Sequence, residues 1–186
     1  MQQRTKVNEM GLDVTAYSKI QKVDAVFDGD GKPIDPQTRE PLDDVVRLQV
    51  NDDFPARAAD IEDGGIYSFA AVAHVAAGSY SYYNRWRDEL AKLAGWPLGS
   101  YEQYGKQWPS HAASAWDAQS GPFWELILFS DCESAMGPAV CAKLAKDFAD
   151  YQAKADAHED ERFRAKYAEW RAAFDLAADG GAMRFH

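Results

Sequence analysis

At 186 residues, 46% of them hydrophobic, 13% aromatic and six of them Trp, the chain carries enough apolar material for one packed domain and too much for a disordered tail. A formal net charge of −10 disfavours direct contact with nucleic acid or an anionic membrane. No apolar run approaches the ~20 residues of a bilayer span, the charged start Met1–Lys6 has no apolar segment behind it to make a secretory signal, and reduced Cys132 and Cys141 fit a cytoplasmic setting.

Residues 1–10 read as a loose arm of a single domain spanning 1–186. From Gly11 to Ile20, Leu12, Val14 and Ala16 alternate with Asp13, Thr15 and Tyr17, the period of a half-buried strand. Val23–Phe27 has β-type composition, and Asp28-Gly29-Asp30-Gly31-Lys32-Pro33 supplies turn chemistry. A calcium loop is excluded there, since Lys32 stands at the third ligand position and Arg39 where a bidentate Glu is needed; a hairpin is expected instead. Val45–Val50 is a third strand candidate, 51–63 a loop with room for a helical turn, Gly64-Gly65 a tight turn and Ile66–Phe69 a short strand. Between Asp24 and Asp63, twelve acids face only Lys32, Arg39, Arg47 and Arg57. A face of net charge −8 serves solubility or receives a basic partner.

The apolar stretch 70–77 holds His74, read as a satisfied core histidine. Gly78-Ser79 opens a helix whose stripe is Tyr83, Trp86, Leu90 and Leu93, ended by Gly95 with Pro97 beyond. Residues 96–110, with Trp96, Tyr101, Tyr104 and Trp108, read as an aromatic loop that covers a core or lines a cleft, and 111–117 as one or two helical turns. Phe123–Phe129 is six-sevenths apolar and bounded by Gly121-Pro122, which predicts a central strand buried on both faces. It would deliver the polar loop Ser130-Asp131-Cys132-Glu133 to the mouth of a helix begun by Pro138. Val140, Leu144, Phe148 and Tyr151 give one further stripe. Phe163, Tyr167, Trp170, Phe174 and Ala177 give another, with a break in 156–160 and a cap at Gly180-Gly181. The fold class is α+β: N-terminal antiparallel hairpins and one central strand packed against three or four helices.

No phosphate-cradling loop, zinc spacing or serine nucleophile elbow occurs, and the sequence calls for no cofactor or metal. Two clusters carry chemistry. Asp131 and Glu133 form a carboxylate pair, with Ser130 beside them as a loop-structuring or ligand-binding hydroxyl. Ser79, Tyr80, Ser81, Arg85 and Arg87 gather at a helix start, where amides and guanidinium groups attract an anion. The alternative for these arginines is an ion pair with Asp131, Glu133 or an acid of 24–63. If both clusters face one cleft, with Tyr80, Tyr82 and Trp108 nearby, they would make one small-molecule pocket, its binding residues Ser79, Tyr80, Ser81, Arg85, Arg87, Trp108, Ser130, Asp131 and Glu133.

The words Gly11-Leu12-Asp13-Val14-Thr15-Ala16-Tyr17-Ser18-Lys19, Gly78-Ser79-Tyr80-Ser81, Asn84–Gly95 and Phe129-Ser130-Asp131-Cys132-Glu133 resemble a group of uncharacterised phage and prophage proteins. The closing Trp170–Phe174, Asp179–Gly181 and Phe185-His186 are similar to it as well. Ser134 stands where the group's pattern leads one to expect Gly. The resemblance carries no catalytic residues. It implies a small accessory protein of a mobile element that binds a host or defence protein, or a small anionic molecule. The rival expectation is an acid–base or metal-assisted hydrolase using Asp131 and Glu133 with His111 or Cys132.

Overall fold

The computed structural model describes residues 11–129 and 134–186, so the expected loose arm 1–10 and the loop 130–133 lie outside the described residues. In chain order the strands are β1 (Leu12–Ser18), β2 (Gln21–Lys22), β3 (Val26–Phe27), β4 (Pro33–Ile34), β5 (Val45–Arg47), β6 (Ile66–Ser68), β7 (Ala71–Gly78), β8 (Gly99–Gln103), β9 (Lys106–Ser110), β10 (Ser134–Met136) and β11 (Ala182–Phe185). The helices are α1 (Tyr80–Ala94), α2 (Trp124–Leu128), α3 (Pro138–Asp150), α4 (Gln152–Asp156) and α5 (Glu161–Ala177), with 3₁₀ turns at Pro55–Ala58 and Ala112–Ala115. The class is α+β, and none of the described helices is long and apolar enough to cross a membrane.

The organising strand is β1. Its alternation turns Leu12, Val14 and Ala16 into the main core and Thr15 and Tyr17 to the opposite face. It pairs antiparallel with β7 on one side and β11 on the other, and β10 extends the sheet beyond β11. The inner face is covered by α1, α2, α3 and α5 through fully buried Tyr83, Leu90, Leu126, Phe148, Tyr167, Trp170 and Phe174. Among the described residues, the outer face is covered at the Tyr17 end. There Val46, Leu48, Ala58, Ile61 and Tyr67, from the small sheet β2-β6-β5 and its neighbouring loop, form a second apolar cluster with Tyr17, Ala135 and Ala182.

Three expectations are corrected. The segment Phe123–Phe129 is not a strand but the short helix α2. Phe123, Leu126 and Ile127 are fully buried whereas Trp124, Glu125 and Leu128 are half-exposed, and 123, 126, 127 is helical spacing. The helix starts from Phe123 in the left-handed region (φ 54°), where Asp147 Oδ2 accepts the Phe123 N–H at 2.7 Å. Lys143 Nζ binds the Gly121 carbonyl at 2.7 Å and pairs with both Glu125 and Asp147, which holds the turn. The central position in the sheet belongs to β1. Secondly, 96–110 is no mere loop: β8 and β9 form a hairpin about the two-residue turn Tyr104-Gly105, both with positive φ. Thirdly, His74 is no core residue. It sits exposed in β7 on the outer face, bonded to Thr15.

Candidate ligand-binding cleft

Helix α1 begins where the sequence places it. Ser79 caps it, its hydroxyl accepting the Tyr82 N–H at 3.3 Å, and Gly95 ends it in the left-handed conformation. The cap occupies the Ser79 oxygen, while Tyr80 and Ser81 lie exposed in the first turn. Residues two apart on a helix do not share a face, and the two arginines separate accordingly. Arg87 is buried, its guanidinium donating to the Ile127 carbonyl at the end of α2 and to Asn84 Oδ1 at 2.6 Å. Arg85 is exposed on the other side. Trp108 lies half-exposed on the β8–β9 hairpin, opposite Tyr101 in register. The structure therefore does not gather Arg87 or Trp108 with Arg85. Ser130, Asp131 and Glu133, and the Cys132 of the rival reading, lie outside the described residues. His111, also of that reading, has Nδ1 2.7 Å from the Trp96 carbonyl.

Arg85 does open onto a cleft, of about 390 Å³, between α1 and the start of α5. Its floor is Trp86 and Phe163, nearly fully buried and 6.4 Å apart between ring centroids, with Tyr82 as a wall. The His158 ring packs at a tilt on Phe163, 4.3 Å between centroids, and places Nε2 3.7 Å from Glu89 Oε2. Five charged groups line the rim: Arg85, Arg162, Asp88, Glu89 and Asp160. The three acids are engaged. Asp88 Oδ1 accepts the Ser110 hydroxyl (2.6 Å) and the Ala112 N–H (2.9 Å). Asp160 caps α5 by accepting the Arg162 N–H at 2.8 Å, and Glu89 faces Lys92 and His158. Neither Arg85 nor Arg162 has an ion pair or side-chain hydrogen bond among the described residues. The Trp86 indole N–H in the floor likewise finds no acceptor among them.

The sequence puts Tyr82 beside Arg85 in a pocket, but it does not bring Asp160, Arg162 and Phe163 to it, since spacing along a chain does not say which helix ends abut. Among the described residues no group of His, Cys, Asp and Glu could hold a metal ion. No family model, curated protein or solved structure matches this chain.

Proposed function

We propose that the protein acts by binding, and that the α1–α5 cleft takes a small ligand with a flat apolar body and an anionic group. The reading keeps the role expected of a phage or prophage accessory protein. The observation that carries it is a pair of guanidinium groups with no ion pair or side-chain hydrogen bond among the described residues, at the rim of an aromatic-floored cleft whose three acids are engaged by other groups. Arginine presents a planar fork to a carboxylate or phosphate, and aromatic faces accept a flat ring.

Anilinonaphthalene sulfonate has both features and serves as the probe. It should bind one per chain with enhanced emission, and Arg85→Glu with Arg162→Glu should weaken it by roughly tenfold or more, since two favourable contacts become repulsive. Unchanged affinity in that double variant would refute the assignment. Mass analysis of small molecules carried by the wild-type protein, and lost from the double variant, would then identify the natural ligand.

A further inference from the structure

We infer that strand β7 is a pairing edge, and that its occupant is the same strand of a second copy of this chain. β7 stands at the end of the main sheet's strand order, bonded to β1 on one side. Contacts near its far end show which of its backbone groups point the other way. The Ala76 N–H donates to Glu169 Oε1 at 3.3 Å, and the Ala76 carbonyl accepts from Lys166 Nζ at 2.8 Å. Both partners belong to α5, so Ala76 faces away from β1. Orientation alternates along an antiparallel strand, so the N–H and C=O groups of Val72 and His74 face outward too. No partner meets these groups among the described residues. Ala71, Val72 and His74 are exposed, Val72 by 45%.

An edge of this kind is a template for a further strand, and proteins ordinarily blunt it with lysine, proline or a bulge. Here the guard is the Lys166–Glu169 pair, and it closes off Ala76 alone. From Gly64 to Asn84 the sequence holds no Asp, Glu, Lys or Arg. The ladder to β1 is regular from Ala71 to Ala76 and shifts only beyond it. Val72–His74 therefore offers donors and acceptors at strand spacing, and an extended backbone is what satisfies that pattern.

The strand is complementary to itself. A two-fold axis through Ala73 sets Val72 opposite the second copy's His74, and His74 opposite the second copy's Val72. Both are then hydrogen-bonded pairs, in which every outward N–H and C=O finds its complement. Ala73 meets its own copy at the axis, in the close non-hydrogen-bonded position, where a methyl group is easily accommodated. Sliding the copies by two residues fails in either direction. One shift needs Ala76, which α5 already holds, and the other needs Ala70, whose N–H donates to the Ser18 carbonyl at 3.0 Å. Charge selects the copy over a foreign segment. A chain of net charge −10 meets itself most easily along a stretch that carries none, and an uncharged edge has nothing with which to choose a basic or acidic peptide.

Sedimentation equilibrium of the full chain tests the association, and a disulfide trap tests the register. A small interface is a weak one, so the chain is run from about 10 µM to about 1 mM, and its mass should move from monomer towards dimer over that range. Val72→Lys brings two like charges to the junction and should abolish the association. Val72→Thr keeps a β-branched side chain and should retain it. Unchanged near-ultraviolet circular dichroism shows that both variants fold. In a Cys132→Ser background, oxidised Ala73→Cys should form a covalent dimer, because the axis brings the two Cα atoms to about 4.5 Å. Ala71→Cys faces Val75 of the second copy rather than itself and should be trapped roughly tenfold less. A monomer at every concentration, undiminished association of Val72→Lys, or equal trapping at 71 and 73 would each overturn the inference. Growth beyond a dimer would mean that β7 meets the β10 edge in a contact that does not close. Association seen only after removal of residues 1–10 would give the edge to that segment. Either result refutes the pairing as well.

Discussion

Two positions along a helix turn a side chain through about 200°, and in α1 that rotation sends Arg85 to solvent and Arg87 beneath α2. The consequences for stability are opposite. Arg87 satisfies the Ile127 carbonyl in a buried setting, where removal of one partner leaves the other desolvated and unpaired. Arg87→Met should therefore lower the stability of the protein by about 2–4 kcal/mol in urea unfolding, whereas Arg85→Met should change it by less than about 0.5 kcal/mol. Equal losses would mean that the orientation of the two side chains is not as described. In the sequence both arginines read as ligands at a helix start. Nothing local separates them, because the partner that buries Arg87 is a carbonyl forty residues away.

At the scale of elements, what was legible followed periodicity and capping chemistry. β1, α1, α3 and α5 stand where alternation, helical stripes, Ser79, Gly95 and Pro138 put them. What was not legible depended on distant contacts. Phe123–Phe129 reads from its apolar run as a strand, and the helical turn it forms instead is set by Asp147 and Lys143 of α3, which hold Phe123 in the left-handed conformation that opens α2. Similarly, the last residues form strand β11 because they pair with the edge of β1. The turn into that strand is unusually constrained. A Cβ at Gly181 would lie 1.8 Å from the Tyr17 carbonyl oxygen, a backbone atom that cannot yield, while Gly180 has left-handed φ (59°) but open space around it. Gly181→Ala should cost at least about 3 kcal/mol, by forcing β11 off β1, and Gly180→Ala only about 1 kcal/mol. Thermal unfolding of the two variants checks this, and a Gly181→Ala protein as stable as Gly180→Ala would contradict the closure.

For the molecule as a whole, the acidic segment 24–63 is in part a scaffold rather than a bare charged surface. Asp28 and Asp35 accept backbone N–H groups in their turns, Asp63 accepts the Val50 N–H, and Asp60 accepts the Ala139 N–H in the first turn of α3. The Lys32 N–H foremost for Asp28, and the Thr38 N–H for Asp35, hold these carboxyls below their ordinary value of 3.8. What they contribute is complete above that value and is lost as the pH falls below it; both are fully exposed, so acid weakens the fold only gently. Alkali acts on the core instead. Burial pushes the Cys141 thiol from 9.0 up to about 12 and raises the Tyr167 phenol above its usual 10.0. The folded protein then keeps protons that the unfolded chain releases, so stability is full below pH 9 and declines as the pH rises towards the folded values. Between pH 9 and 12 the Cys141 proton alone adds about 1.4 kcal/mol per pH unit to that decline. The urea midpoint should consequently fall more steeply with pH in the wild type than in Cys141→Ala, whatever constant offset the lost side chain introduces. Cys132 titrates in both unfolded chains and cancels from the comparison, so parallel slopes would show that the Cys141 thiol is not sealed in the core.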